Sequence, residues 1–201
     1  MSIVRLTGVS LLCAGLLLAA GCASKKVEYG DASAVETTTV DFGSTDLHMI
    51  AAKMVDSLLS FPPIVELTKK SRPVVFVDRI KNKTTEHIDT ESITDTISTR
   101  LLRSGKFRFV DMSKVETVRK QLKFQNESGM VDPSKAVAFG RQVGARYMLY
   151  GNMSSIVKRS KDVKDVYYKF TLKLMDLETG LIEWQDEKEI RKLRKKSLFG
   201  M

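Results

Sequence analysis

Strict alternation of apolar and polar side chains near the C-terminus constrains the fold more than any other feature of this sequence. Over residues 168–174, Tyr, Phe or Leu occupies every even position, and Lys or Thr occupies every odd position. Successive side chains of a β-strand point to opposite faces, so this pattern predicts a strand with one face on a core and the other toward water or a helix. The turn sequence at residues 178–180 and the apolar Ile182 and Trp184 predict an antiparallel hairpin partner over residues 181–190.

Helical periodicity accounts for much of the first half of the chain. From residue 47 to residue 59 the apolar positions recur at i, i+3, i+4, i+7 and i+8, which predicts an amphipathic helix with Asp46 as its N-cap. Phe61, Pro62 and Pro63 are expected to end it.

Three further helices follow from capping signals. The first covers residues 89–103, with Gly105 at its C′ position. The second opens with a capping box at residues 113–116, and the third covers residues 132–143, where Asp132 and a proline begin it. With strands predicted at residues 74–80, 106–111 and 145–157, the fold class is α+β, and we expect a single small domain with a mainly antiparallel sheet of about four strands and about four helices.

The N-terminus has the form of an export signal. Arg5 precedes an apolar run over residues 8–20 that is too short to span a bilayer comfortably. The run ends in Leu-Ala-Ala-Gly-Cys at residues 18–22, which resembles the bacterial lipobox, although Ala19 stands where Leu is commoner. The resemblance implies that Cys22 is lipidated; an ordinary secretory signal is the alternative. The resemblance also implies a sorting rule, by which an Asp directly after the cysteine retains a lipoprotein in the inner membrane. Ala23 and Ser24 follow Cys22 here, so we expect sorting to the outer membrane.

These signals divide the chain into four parts. Residues 1–21 form the predicted lipoprotein signal peptide, and residues 22–45 a lipidated flexible tether poor in large apolar side chains. Residues 46–190 form the predicted globular domain. Residues 191–201 form a basic C-terminal tail, which we expect to be frayed.

Charge and composition narrow the function. The formal charge is +9 and the pI is about 9.5. A chain exported to the periplasm meets no nucleic acid there, so the partners within its reach are anionic lipid, lipopolysaccharide, anionic cell-wall polymer or an acidic protein face. The alternative for most of the lysines and arginines is a solvated surface without a partner. No catalytic motif is present, the two histidines lie far apart, and Asp176 with Glu178 fits a hairpin turn better than a catalytic pair. We therefore expect neither an enzyme nor a cofactor or metal.

Three segments resemble the LpoB family of outer-membrane lipoproteins. The first covers residues 74–84, the second residues 101–111 and the third residues 136–151, with residues 178–184 behind it. Related α/β domains occur in the curli-secretion lipoprotein CsgG and in the amino-terminal domain of TolB, and a CsgG-like structural or secretion subunit is the alternative function. A CsgG-like pore would need an amphipathic hairpin, and residues 158–165 are too short and too charged for one.

The resemblance implies a non-catalytic activator of cell-wall synthesis. Such a protein is anchored in the outer membrane, faces the periplasm and binds the regulatory domain of a class A, bifunctional penicillin-binding protein of the 1B type, thereby regulating peptidoglycan synthesis. Exposed aromatic and arginine side chains are the usual anchors of interfaces. We therefore predict Arg141, Arg146, Tyr147 and Tyr150 as partner-binding residues, with burial in the sheet as the alternative for either tyrosine.

Overall fold

The computed structural model describes residues 27–130 and 144–196. The chain divides into two compact units, Met1–Ala32 and Ser33–Met201, and all the elements below belong to the second. The helices in the described part of the chain are α1 (Ser44–Ser60), α2 (Pro62–Lys70), α3 (Thr90–Arg103) and α4 (Val115–Glu127), the last preceded by a 3-10 turn, Met112–Lys114. The strands described there are β1 (Val74–Val77), β2 (Lys81–Lys83), β3 (Arg108–Val110), β4 (Tyr147–Arg159), β5 (Val163–Asp176) and β6 (Ile182–Lys195).

The strands form one mixed sheet in the order β3-β1-β4-β5-β6, and β2 pairs separately with β4. β1 pairs in parallel with both β3 and β4, whereas β4-β5 and β5-β6 are long antiparallel ladders. The α+β class is confirmed, and the long ladders are antiparallel as predicted. The sheet has six strands rather than about four, because the short parallel strands join it.

The core lies between one face of this sheet and helices α1 and α3. The even positions of β5 from 166 to 174 are buried, as the alternation predicted, and Trp184 and Ile190 of β6 extend the same face. The helices contribute one stripe each, comprising Ile50, Met54 and Leu58 from α1 and Ile93, Ile97 and Leu101 from α3.

Two helix boundaries differ from the prediction. α1 begins at Ser44, and Asp46 lies in its first turn, where its carboxylate accepts the backbone N–H of Gly43 at 2.9 Å. Its C-terminus before Phe61 is as predicted, but a second helix starts immediately at Pro62. Proline lacks an N–H that the first helical turn would leave unpaired, so the residues that end α1 also suit the start of α2.

The other capping predictions can be compared with the structure at α3 and α4. Asp89 caps α3 by accepting the N–H of Glu91 at 3.0 Å, and Gly105 beyond its C-terminus has a φ of 72°, as predicted. Before α4, Asp111 rather than Ser113 is the capping side chain, because the 3-10 turn begins one residue after it. The predicted fourth helix, residues 132–143, lies outside the described residues.

Two segments expected to be loose belong to the ordered unit. Residues 191–195 complete strand β6 and pair with the first residues of β5, so the expectation of a frayed tail from residue 191 is wrong for them. Upstream of α1, the segment of residues 33–43, here named the strap, contacts the sheet. Val40 is buried, and the ring of Phe42 meets that of Tyr168 edge-on at 6.0 Å. The expected coil therefore ends well before residue 44.

None of the helices in the described residues combines the length and the apolar character needed to cross a bilayer.

Candidate functional site

Three of the four sequence-predicted partner-binding residues, Arg146, Tyr147 and Tyr150, lie at one end of the sheet, where β4 begins and β5 ends. Arg146 immediately precedes β4, and Tyr147 is its first residue. Tyr150 lies three positions on, so its side chain points to the opposite face of the sheet. Arg141 lies outside the described residues, so its place relative to the others stays a prediction.

Arg146 is held in place by acidic groups from the β5–β6 turn. Its Nε and one terminal guanidinium nitrogen each lie 3.1 Å from Oδ2 of Asp176, and Glu178 is 3.7 Å away. The backbone N–H of Glu178 and the Arg146 guanidinium both lower the pKa of Asp176 from its usual range. Because 58% of the Arg146 side chain is exposed, the guanidinium is fixed yet accessible to a partner.

The ring of Tyr147 packs near the Arg146 guanidinium. The tyrosine is 5% exposed and part of the core, and burial raises the pKa of its hydroxyl. The Arg146 guanidinium carbon lies 5.6 Å from the centre of its ring, within range of a cation–π contact. Burial in the sheet, the alternative raised from the sequence, therefore describes Tyr147, while Tyr150 is half-buried on the other face.

Three exposed apolar residues that the sequence analysis did not single out belong to the β5–β6 turn and the start of β6, at the same end of the sheet as Arg146. Leu177, Leu181 and Ile182 are 42%, 62% and 48% exposed. The N–H of Leu177 donates to the carbonyl of Arg146 at 2.9 Å, and the N–H of Asp176 donates to that of Leu181 at 2.9 Å. We name Arg146, Leu177, Leu181 and Ile182 the distal cluster. In the sequence, the cluster could have been recognised from the two leucines that flank the polar turn at residues 178–180, because turn positions usually carry polar residues.

The distal cluster and the strap lie toward opposite ends of the long antiparallel ladder. Asp41 of the strap binds Lys164 at 2.6 Å, near the start of β5, whereas the distal cluster surrounds its last residue, Asp176. β4 has 13 residues, so the two ends are separated by about 44 Å at 3.4 Å per residue.

The chemistry of the distal cluster suits contact rather than catalysis. Asp176 is only 3% exposed, and the backbone N–H of Glu178 and the Arg146 guanidinium that engages its carboxylate hold its pKa below the usual range. In the residues that the structure describes, no group of three or more His, Cys, Asp or Glu side chains is arranged to hold a metal ion. A fixed arginine beside exposed aliphatic side chains is a common composition for an interface anchor.

Comparison with known proteins places this fold and its distal end in one family. The family model described as "Peptidoglycan-synthase activator LpoB" matches residues 46–190. The penicillin-binding protein activator LpoB of Dickeya dadantii is 29% identical over 118 residues, which are 59% of this chain and 56% of that protein. The protein of the same name from Escherichia coli K12 is 29% identical over 111 residues, which are 55% of this chain and 48% of that protein.

Among solved structures, the LpoB C-terminal domain from Escherichia coli is similar to this chain, with a TM-score of 0.45 and 22% sequence identity. The similarity covers 72% of this chain and 98% of that domain. The chain spans about half the length of the curated relatives it matches. Since the family model matches residues 46–190, which are well over half of the chain and include the distal cluster, the chain belongs to the LpoB family of peptidoglycan-synthase activators.

Proposed function

We propose that this protein is a non-catalytic, lipid-anchored activator that binds the regulatory domain of a class A penicillin-binding protein of the 1B type and thereby raises peptidoglycan synthesis. The observation that carries the proposal is the family match over residues 46–190, which covers every helix and strand from α2 to β5 and most of α1 and β6. The relatives in that family are named activators of penicillin-binding proteins.

The distal cluster is the proposed contact surface. Interface energy is concentrated in a few well-placed side chains, and arginine is prominent among them. Arg146 is already fixed by Asp176 at 3.1 Å, so little of its side-chain freedom remains to be lost on binding. Leu181 and Ile182 expose apolar area at the same end of the sheet. Transfer of this area from water into an interface would favour binding.

Activation in this proposal is allosteric. The activator shifts the synthase toward its active conformation only by the difference between its affinities for the active and inactive conformations. The anchor is Cys22, lipidated after cleavage of residues 1–21, and Ala23 and Ser24 favour the outer membrane, with the domain facing the periplasm. Several acyl chains on one cysteine make such an anchor effectively permanent, since each buried methylene contributes about 0.8 kcal/mol.

Measuring the affinity of the mature chain for the purified regulatory domain tests the contact surface. Leu181→Glu places a carboxylate in the centre of the distal cluster and should weaken binding at least about thirtyfold, the effect of losing one hot spot. Leu193→Glu is the matched control, because Leu193 is 52% exposed on β6, the strand that follows Leu181, but lies at the other end of the sheet.

Equal affinities for the two variants would show that the distal cluster is not the contact surface. Absence of binding by the unchanged chain to any class A synthase would refute the proposed function itself. Sedimentation of the mature chain as a stable ring would instead favour the CsgG-like structural or secretion subunit predicted as the alternative.

A further inference from the structure

Cations gather at the end of the sheet opposite the distal cluster. The β4–β5 hairpin turn and the last residues of β6 bring together seven of them, which we name the basic end: Lys158, Arg159, Lys161, Lys164, Arg194, Lys195 and Lys196. The main-chain N–H of Lys196 donates to the carbonyl of Asp162 in the turn at 2.7 Å, so the end of β6 is tied to the hairpin. All but Lys164 are exposed.

The register of the strands concentrates this charge. Arg159 lies directly opposite Lys164, and Lys164 lies directly opposite Arg194, which makes a row of three cations across three strands. Like charges in directly opposed positions destabilise a sheet. Asp41 of the strap neutralises only the central member, at 2.6 Å.

The remaining six cations of the basic end have no ion-pair partner among residues 27–130 and 144–196. Asp165, the nearest carboxylate on β5, is instead engaged by Arg191. Asp162 of the turn, Asp41 of the strap and Asp165, which lies directly opposite Lys158, are the carboxylates beside the basic end, so seven cations face three carboxylates there. The basic end therefore carries a local excess of positive charge that an anionic surface would relieve.

The strap indicates which anionic surface is close. Residues 33–43 run to the N-terminus of α1, where Asp46 binds Lys192 of β6 at 2.8 Å, two residues from Arg194. The chain that leads to Cys22 thus joins the domain beside the basic end. Residues 23–32 can span at most about 35 Å when fully extended. The membrane that holds the proposed anchor at Cys22 is therefore within reach of these cations.

We propose that the basic end docks on the anionic phosphate headgroups of the membrane that carries the anchor. Docking of this kind sets the long axis of the β4–β5 hairpin away from the membrane and presents the distal cluster about 44 Å from the surface. The interaction is electrostatic, so it weakens as salt shortens the Debye length. It does not depend on which partner the distal cluster binds.

Vesicle co-sedimentation tests the proposal with the mature chain carrying Cys22→Ser, so that no acyl chain contributes. Vesicles of phosphatidylcholine with phosphatidylglycerol should bind the chain at low salt and release it at high salt, whereas phosphatidylcholine alone should not bind it. Replacing Lys161, Lys195 and Lys196 with Ala should reduce binding by on the order of a hundredfold, because each cation near an anionic surface contributes about fivefold.

A matched variant that replaces three exposed cations elsewhere, Lys83, Arg103 and Lys120, removes the same net charge and should change binding only a few-fold. If both variants lost the same affinity for the vesicles, overall charge alone would account for binding, and the proposal would be overturned. So would binding to purified cell-wall polymer without binding to the anionic vesicles, which would make the polymer the occupant. The salt titration of the unchanged chain decides the same question without a variant, since binding that is insensitive to salt also overturns the proposal.

Discussion

Tyr168→Phe tests whether the strap is an integral part of the fold. The Tyr168 hydroxyl lies 2.5 Å from Oε1 of Glu86 and 3.2 Å from the carbonyl of Val40, in a side chain that is 1% exposed. The other oxygen of Glu86 accepts the N–H of Phe42 at 3.0 Å. Removal of one hydroxyl therefore leaves a half-buried carboxylate without its strongest donor and loosens the contact between strap and sheet.

The expected loss follows from the charge on the acceptor. A hydrogen bond to a charged group contributes about 1.5–3 kcal/mol, so we expect Tyr168→Phe to lower the free energy of unfolding by about 2 kcal/mol. For a unit of this size the midpoint of thermal unfolding should fall by about 4–8 °C. Denaturant unfolding followed by circular dichroism measures the free energy, and Tyr29→Phe is the control, because Tyr29 is fully exposed. A loss below about 0.5 kcal/mol, the range of ordinary surface substitutions, would contradict the reasoning.

The same hydroxyl predicts how stability depends on alkaline pH. Burial, and next the hydrogen bond to Glu86, raise the pKa of Tyr168 above its usual value. Below pH of about 10 the hydroxyl is protonated in both the folded and the unfolded chain, so its contribution is fully present. Above that pH the unfolded chain ionises first, and stability falls by up to about 1.4 kcal/mol per pH unit. The difference between the unchanged chain and Tyr168→Phe should therefore shrink above pH 10, while Tyr147 and Tyr167 affect both proteins alike.

Four further outcomes are expected. Gly151→Ala should destabilise the fold by about 3 kcal/mol or more, since an added Cβ would lie 2.1 Å from a carbonyl oxygen of β5, whereas Gly30→Ala, with nothing within 4 Å, should leave the denaturation midpoint unchanged. Asp46→Asn leaves a largely buried lysine ammonium without its carboxylate and should lower the free energy of unfolding by about 3 kcal/mol in the same assay. Cys22→Ser should release the protein from membranes in cell fractionation, and a variant that still sediments with outer membranes would refute the anchor. Deleting residues 25–32 should abolish function in cells that depend on this protein while leaving solution affinity for the synthase intact, because the shortened linker would hold the domain away from the synthase. Unchanged cell-wall synthesis would show that the linker is not needed for this contact.

Periodic patterns predicted the central architecture because periodicity reports burial on regular elements. The alternation in β5 and the stripe of α1 both face the core as expected. The sequence pattern did not predict β2, because Lys81–Lys83 carries no apolar alternation. It is a strand only because β4 offers it a parallel partner, from Asn152 to Ser154.

The strap and the end of β6 show a second limit. Val40 and Phe42 are two apolar residues in a polar segment, and no local pattern reveals that a tyrosine more than a hundred residues away will pack against one of them. The charges from Arg191 to Lys195 likewise suggest a solvated tail, but the strand continues because each residue meets a partner near the start of β5. Both cases depend on tertiary pairing, which local sequence does not encode.

The sequence predicted only part of the candidate site, because the rest of it also depends on tertiary pairing. Arg146 was recognisable by residue type, and its fixation by Asp176 follows from the register that sets the start of β4 against the end of β5. Tyr147 is an aromatic residue of the same kind as Tyr150, and only the face on which it lies makes it a core residue. Leu177 and Leu181 were not predicted as site residues, because an isolated leucine near a turn does not indicate a binding site. Only the strand pairing brings them to the same end of the sheet as Arg146.

The distance from the membrane to the distal cluster depends on the linker, the strap and the length of the sheet. Binding of residues 33–43 to the domain leaves ten residues, 23–32, between the proposed anchor Cys22 and the second unit, and ten residues have a taut limit of about 35 Å. The β4–β5 hairpin adds about 44 Å, so more of the distance from membrane to distal cluster comes from the rigid sheet than from the linker. A rigid extension keeps its length without an entropic cost, whereas a ten-residue coil has an r.m.s. span of only about 17 Å. The domain can therefore act as its own spacer, provided that its basic end, and not its flank, lies against the membrane.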